Sequence, residues 1–573
     1  MDVVDRGQFS IIDYICFAFV LFFSAVIGFY HGAKSRKSAS TKDDYLLGGR
    51  DMGLLPVTCS LVATVTSGMT IVGLSAEAYA HGIHTWMLSV TLLVSNTVFL
   101  HVFIPVLYEL KVASSFEYLE MRFSRSVRVF ASGVYTVAGL VYLPVTVYVP
   151  ALVFNKVTGV NIYATVIALS ILCASYTAVG GFKAVVWTDV LQLILMVVST
   201  IIVATVGAIS VGGFENIWDA AERGGRLNWI NFSDFGSRTV IWAYVNSSLI
   251  NIYQFGLNQT CLQRFLALSS LKKVKIASWI VVIAFGCFIF MAQFIGVIMY
   301  ASYETCDPFT QGIIQKLDQI LPHFIQEKAS IFTGFNGIFI AGIFAASLST
   351  TSSYLNALGG TIYEDFLSYR FVNIEERTAK KILKAIVLIL GAVQVLMVTV
   401  VQKMGMIYKI TNQTMTLSTS TIFGFFMAGV LLPKVNGKGA QAGACVGGIV
   451  LTVLIIGGMA NKPEPTLPLS TDGCSSQKDA LQFSNSTIIA NEKVISEASD
   501  DVIWLFKIPF VYFGLIGMLC NLLTSYIVSL LTGGNVIENQ KLLAPFLRTN
   551  AREHRENLSQ KENLIQRIAW SKN

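Results

Sequence analysis

The chain has 573 residues, of which 54% are hydrophobic and only 13% are charged. Soluble domains carry about 25% charged residues, so this composition excludes a set of soluble domains and indicates a polytopic membrane protein. The formal net charge of +7 is distributed over short loops, which argues against a nucleic-acid partner and for a lipid bilayer as the surroundings. The sequence contains no nucleotide-binding loop and no Ser/His/Asp set, so we expect neither an ATPase nor an enzyme.

Thirteen apolar segments predict an all-α fold with about 13 transmembrane helices, because roughly 20 apolar residues are needed to cross the hydrocarbon core. If the C-terminal tail is cytoplasmic, the inner loops hold 28 of the 41 Lys and Arg residues. This bias predicts an extracellular N-terminus and a cytoplasmic C-terminus. The three longest polar loops, 212–239, 303–330 and 461–506, then lie outside the cell.

The outer loops carry features of an oxidising compartment. Sequons at Asn231 and Asn485 predict glycosylation on that side of the membrane. Cys306 and Cys474 lie in two different outer loops. A disulfide between them and a pair of free thiols are equally compatible with the sequence.

Two apolar segments, 54–80 and 240–268, are interrupted near their centres by Gly, Ser, Thr and Asn. They are five segments apart and begin on opposite sides of the membrane, the pattern of a secondary transporter built from inverted repeats. The alternative is that small residues there only allow helices to pack closely.

The repeat hypothesis divides the chain into six parts. They are 1–53 (outer N-terminus, first helix, inner loop), 54–211 (first inverted repeat), 212–239 (outer loop), 240–432 (second inverted repeat), 433–532 (two further helices with the loop 461–506) and 533–573 (cytoplasmic tail). The sequence favours no particular oligomeric state.

A cluster of six hydroxyl side chains interrupts the apolar segment that ends at residue 367. Its members are Ser347, Ser349, Thr350, Thr351, Ser352 and Ser353. An unmatched hydroxyl in hydrocarbon costs free energy, so these groups either join helices or bind a small hard cation such as sodium.

Asp189 is the strongest single candidate for a functional residue, and Gln192 follows three residues later on the same helical face. An intramembrane carboxylate is expensive, which favours a functional role. The alternative is an interfacial carboxylate paired with Lys183. Arg264, at the end of the second interrupted segment, is expected to anchor at the inner membrane surface.

Several stretches in the right order resemble the sodium/solute symporter family, the relatives of the sodium–glucose cotransporters. They are DYLLGGRDMGLLPVTCSL, GLSAEAYAHG, YVPALVFNKVTG, GGFKAVVWTDVLQ, GLNQTCLQRF and LSTTSSYLNALGGTIYED. The similarity runs from about residue 10 to 530 and is strongest to the branch of monocarboxylate, multivitamin and iodide symporters. It implies a five-plus-five inverted-repeat core, preceded by one helix and followed by two, through which extracellular sodium drives a solute inward.

The resemblance also implies site residues. The main sodium site falls on the carbonyl groups of Ala63 and Thr66 and the hydroxyls of Ser349 and Thr350, with Ser352 and Ser353 adjacent. A second sodium site falls near Ser67, Asp189, Gln192 and Gln259. The expected substrate pathway includes Thr70, Asn258, Thr416 and Ser420.

The resemblance favours a sodium-coupled symporter at the plasma membrane that imports a small organic anion, either a monocarboxylate or a vitamin such as biotin or pantothenate. Thr70 stands where iodide transporters have Gln, which argues against iodide. The alternatives are a symporter of iodide, a sugar or a choline-like solute, and a transport-poor sensor on the same scaffold. No intramembrane Lys or Arg is evident to pair with a substrate carboxylate, so bound sodium and a helix N-terminus are expected to supply the positive field.

Overall fold

The computed structural model of the protein describes residues 9–37, 41–112, 114–227, 240–328, 334–371, 374–403, 407–458, 466–474, 506, 508, 512–535, 537 and 539–548. Within these residues the chain is helical, and the contact between Met52 and Leu268 is an isolated β-bridge outside any strand. Asn231 and Asn485, the expected glycosylation sites, lie outside the described residues.

The described residues form nineteen α-helices. In chain order they are α1 (Ile11–Lys37), α2 (Lys42–Leu47), α3 (Leu54–Val65), α4 (Gly68–His81), α5 (Met87–Val98), α6 (Ile104–Leu110), α7 (Ser115–Arg122), α8 (Arg125–Thr158), α9 (Ile162–Val211), α10 (Phe214–Arg223), α11 (Val240–Ile252), α12 (Gln259–Leu266), α13 (Leu271–Ser302), α14 (Ile320–Lys328), α15 (Phe335–Thr361), α16 (Glu376–Lys403), α17 (Ile407–Leu431), α18 (Gly437–Gly458) and α19 (Phe513–Leu531).

Ten helical stretches of the described residues are long and apolar enough to cross a membrane, or eleven when the bent pair α3–α4 is included. The all-α membrane fold is therefore confirmed, whereas the number thirteen stays a prediction. A total of thirteen spans requires that α9, which has 50 residues and a non-helical residue at Gly181, contains two spans. It also requires counting the interrupted segment from α11 to α12 as one span.

Both segments that the sequence marks as interrupted are broken in the structure. Helices α3 and α4 meet at a bend of 53°. Helix α11 passes into a π-helical turn at Tyr253–Leu257, and Asn258 then leaves the helical region with φ −56° and ψ 133° before α12 begins. Each break frees backbone groups at a position that neighbouring helices enclose.

Helix α15, which carries the hydroxyl cluster, lies at the centre of the bundle. Its apolar window is 94% buried, compared with 18% for α1 at the periphery. It packs against α9, α8, α1 and α16. A helix with apolar or small residues on every face is stable only when other helices surround it, so this position follows from its composition.

At the predicted outer end, the segment 466–474 is fastened to the rest of the protein. Cys306 and Cys474 form a disulfide with their Cα atoms 5.1 Å apart. The Leu467 N–H donates to the carbonyl oxygen of Ala80, the residue next to the end of α4, at 2.9 Å. The loop that precedes α19 is thus attached to the outer half of the broken helix.

Arg226 stabilises the same end from within the bundle. Its side chain is fully buried, donates to the carbonyl oxygens of Gly224 at 2.6 Å and Pro468 at 2.9 Å, and lies 3.8 Å from the ring centre of Tyr300. A buried guanidinium is tolerated because carbonyl oxygens and an aromatic face replace its water.

At the predicted inner end, residues 539–548 run back along the helix ends. The Ala544 N–H donates to the Val430 carbonyl oxygen at the end of α17 at 3.1 Å. Arg548 donates to the Glu109 carboxylate at the end of α6 at 2.9 Å. The beginning of the tail therefore joins two spans that are far apart in sequence.

Replacing Arg226 is expected to destabilise the protein more than replacing its near neighbour Arg223. Arg226→Gln leaves buried carbonyl oxygens without donors and should cost about 2–4 kcal/mol. Arg223 is 61% exposed in its pair with Glu304, so Arg223→Gln should leave the melting temperature close to that of the parent protein. Thermal unfolding of both variants in detergent measures the difference. Equal melting temperatures would contradict this view of the Arg226 cluster.

Candidate functional site

The first helix break is stabilised by its own side chains. Thr66 ends α3 with extended backbone angles, φ −94° and ψ 106°. Ser67 then caps α4, because its hydroxyl accepts the Thr70 N–H at 3.2 Å and the Thr70 hydroxyl accepts the Ser67 N–H at 3.3 Å. This reciprocal capping box explains why α4 starts afresh at Gly68. It also shows that the structure holds Ser67 and Thr70 together at the break.

Beside this break, the central helix α15 presents the hydroxyls expected at the main sodium site. The Ser349 hydroxyl lies 2.9 Å from the carbonyl oxygen of Ala63. The Thr350 hydroxyl donates to Ala346 O within its own helix at 3.0 Å. The Thr66 hydroxyl is buried without a hydrogen-bond partner among the described residues. The Ser349 hydroxyl of α15 and the Ala63 carbonyl oxygen of α3 therefore meet at the break, and such oxygen atoms are suited to a hard cation.

Asp189 lies on α9 deep inside the bundle and is fully buried. Its Oδ2 accepts the Ser60 hydroxyl at 2.5 Å and the Arg264 guanidinium at 3.1 Å. The alternative of an interfacial pair with Lys183 is wrong, because Lys183 lies 3.2 Å from the Asp44 carboxylate instead.

Arg264 corrects a second expectation, since it is not an anchor at the inner surface. Its side chain is 1% exposed. Besides Asp189, it donates to the Ser60 hydroxyl at 2.7 Å and to the Ser353 hydroxyl at 2.5 Å. The sequence places this arginine near a segment end, but the break before α12 shifts the residue inward. One physical signal in the sequence points to such a residue, because a buried carboxylate requires a cation nearby.

Two acceptor oxygens and one amide nitrogen remain without hydrogen-bond partners at Asp189 and Gln192 in the described part of the chain. The Asp189 Oδ1 and both polar atoms of the Gln192 side chain are buried and have no hydrogen-bond partner among the described residues. On the facing helix, the Ser352 hydroxyl donates to Ser349 O at 3.1 Å, and Ser353 reaches Arg264. Buried polar atoms are rarely left unpaired, so this group fits a bound cation.

Gln259 does not join this group. Its side-chain oxygen accepts the Ser115 N–H at the start of α7 at 2.8 Å. The structure therefore brings Asp189, Gln192, Ser352 and Ser353 to one region and assigns Gln259 a different contact.

The second helix break carries the remaining pathway candidates. Asn258 caps α12 by accepting the Thr260 N–H at 3.1 Å and donates to Gln254 at 3.3 Å. Gln254 in turn donates to the Thr419 hydroxyl on α17 at 3.3 Å. Gln254 and Thr419 were not among the expected pathway residues, although Thr419 belongs to a hydroxyl-rich run.

The expected pathway positions Thr416 and Ser420 face another neighbour. The Ser420 hydroxyl donates to the carbonyl oxygen of Gly514 on α19 at 2.9 Å, and a Cβ built on Gly514 lies 3.6 Å from Thr416 Cγ2. Adjacent helical positions point about 100° apart, so a sequence run rich in hydroxyls does not reveal which of them face the centre.

Two helix N-termini begin at the breaks, α4 at Gly68 and α12 at Gln259. Each carries a partial positive charge and free N–H groups, which favour a nearby anion. Because Arg264 is engaged with Asp189, these helix ends are further sources of positive potential at the breaks.

Most of the chain matches one family of known proteins. Residues 45–447 match the model of the sodium:solute symporter family. The chain is 32% identical to sodium-coupled monocarboxylate transporter 2 of Danio rerio over 96% of this chain and 88% of that protein. The human transporter of that name is also 32% identical, over 92% and 85%. The human sodium/iodide cotransporter is 30% identical, over 93% and 86%.

Among solved structures, a Na⁺-coupled sialic acid symporter in a substrate-bound outward-open state superimposes with a TM-score of 0.74. The match covers 93% of this chain and 100% of that chain, at 21% sequence identity. At this identity the match shows a shared fold.

The Arg264–Asp189 pair should behave as a coupled unit. Arg264→Gln leaves a buried carboxylate uncompensated and is expected to cost about 3–5 kcal/mol, whereas the double variant Asp189→Asn/Arg264→Gln should recover part of that loss. Lys183→Gln, which removes a more exposed partner of Asp44, is the control. A thermal-stability cycle with additive losses would contradict direct pairing.

Proposed function

Because this chain belongs to the sodium:solute symporter family and is a sodium-coupled symporter rather than an enzyme, we propose that it imports a small organic anion. We assign that anion to the monocarboxylates, with vitamins such as biotin or pantothenate as the next class. The observation that carries the proposal is that each helix break is followed by a helix N-terminus, while oxygen atoms of Ala63 and Ser349 meet at the first break and unpaired oxygen atoms of Asp189 and Gln192 lie buried in the bundle.

Coupling follows from the charges at this place. A carboxylate substrate entering hydrocarbon depth needs positive potential, and Arg264 already compensates Asp189. Sodium at the Ala63–Ser349 group would add a full positive charge beside the break, and the N-termini of α4 and α12 would add partial charges. Substrate affinity therefore depends on sodium, and sodium affinity depends on the substrate by the same factor.

The relatives support the substrate class. Three of the proteins compared above are transporters whose names specify an anion: a monocarboxylate in two cases and iodide in the third. The capping box at the first break leaves Thr70 as a short hydroxyl side chain next to Ser67. A hydroxyl there suits a small oxygen-bearing anion that accepts hydrogen bonds. We further propose a plasma-membrane location with the N-terminus outside and the C-terminus inside.

Uptake by cells expressing the full chain tests the substrate class. The panel contains lactate, pyruvate, a short fatty acid, biotin, pantothenate, iodide and glucose, with lactamide as the uncharged match of lactate. We expect at least one carboxylate to enter only when sodium is present, and lactamide to be ignored. Transport of glucose or iodide without any carboxylate would refute the substrate class. Ligand binding without uptake or current would favour the sensor alternative.

The main sodium site has its own test. Ser349→Ala and Thr350→Ala should each raise the sodium concentration for half-maximal uptake by roughly three- to tenfold, equivalent to about 0.7–1.4 kcal/mol per lost ligand. Ser347→Ala is the matched control on the same helix, because its hydroxyl bonds Thr146 O instead. Unchanged sodium dependence in both variants, at normal maximal uptake, would remove Ser349 and Thr350 from the site.

A further inference from the structure

An apolar groove opens on the outside of the bundle between α8, α17 and α18. Its volume is about 400 Å³. Phe130, Leu417, Gly448, Ile449 and Val453 are among its lining residues. Ile449 is 64% exposed and Val453 47% exposed, so the groove faces away from the bundle. All three helices are candidate membrane spans, which makes hydrocarbon rather than water the surrounding medium.

The groove starts near one membrane surface. Helix α8 begins and α17 ends at the same level, because the Arg122 side chain donates to Gly429 O at 2.9 Å. A Cβ on Gly437, the first residue of α18, lies 3.5 Å from the Ser124 hydroxyl. At about 1.5 Å rise per residue, the lining residues lie roughly 8–24 Å from these helix ends. One leaflet of hydrocarbon is about 15 Å thick, so the groove begins about midway through the near leaflet and ends beyond the bilayer midplane.

Basic side chains stand at this end of the groove. Arg125 and Lys438 are both exposed, and the helices that carry them are joined by a hydrogen bond from Gln441 to the Ser126 hydroxyl at 2.8 Å. Neither residue forms an ion pair with any carboxylate in the described part of the chain, and Arg125 instead lies 4.0 Å from the ring centre of Tyr369. Two such cations at a membrane surface attract a negatively charged group.

We propose that this groove binds an anionic phospholipid of the predicted cytoplasmic leaflet. One acyl chain lies against Leu417, Gly448 and Ile449, and the phosphate headgroup lies between Arg125 and Lys438. The apolar lining and the basic side chains belong to the same helices, because Arg125 lies on α8 and Lys438 on α18. The groove is separate from the helix breaks, so lipid binding can be tested without knowing which solute the protein transports.

Two variants test separately the contact with the phosphate headgroup and the contact with the acyl chain. Arg125→Gln/Lys438→Gln removes the charges at exposed positions. Gly448→Leu fills the groove, and it should fold because the nearest atom to a new Cβ is the Thr421 hydroxyl at 3.9 Å. The matched controls are Lys275→Gln, an exposed lysine on α13 away from the groove, and Val446→Leu, an exposed position on α18 that does not line it.

Native mass spectrometry of the full chain, titrated with phosphatidylserine and phosphatidylcholine, measures binding directly. We expect one retained phosphatidylserine, with affinity at least about tenfold lower in the double Gln variant. Gly448→Leu should reduce retention of both lipids, and the two controls should match the parent protein. Unchanged phosphatidylserine binding in the double Gln variant, or an equal loss in Lys275→Gln, would overturn the proposal. Displacement of a sterol by Gly448→Leu without loss of phospholipid would overturn it as well.

Discussion

The buried ion pair between Arg264 and Asp189 constrains the centre of the molecule more than any other contact. Both side chains are almost completely withdrawn from solvent, and moving either charge alone into this environment is very unfavourable. The pair is held by hydroxyls of Ser60 and Ser353 from two further helices. Four elements, α3, α9, α12 and α15, must therefore keep their relative positions for the charges to remain compensated.

This constraint bears on how a path through the protein opens. Arg264 belongs to the second interrupted segment, and the same short helix begins with Gln259 bonded to Ser115. Nearby, Arg128 lies 2.6 Å from the Asp365 carboxylate, and Gln263 donates to the carbonyl oxygen of Leu46. These contacts place paired polar groups between the helices of the predicted inner half. Any separation of the helices there must give new partners, such as water, to these groups.

The predicted outer end is joined differently. The disulfide between Cys306 and Cys474 and the buried Arg226 fasten the loop 466–474 to the outer half of the broken helix. Unlike a hydrogen bond, a covalent link cannot be exchanged for a contact with water. The loop and α4 should therefore move together as one unit in any rearrangement.

The sequence by itself determined the class of fold and the two helix breaks, and it identified Asp189 and the Ser349–Ser353 hydroxyls as candidate site residues. These depend on local physics: hydrophobic length, small polar residues that interrupt a helix, and the cost of a carboxylate in hydrocarbon. Only the tertiary structure decided which groups meet. It moved Arg264 from the surface to the interior, directed Gln259 to Ser115, and turned Ser420 toward Gly514 while Thr419 faces Gln254. Partner choice depends on helix rotation and on the shift that each break introduces, and neither quantity is written in the local pattern of residues.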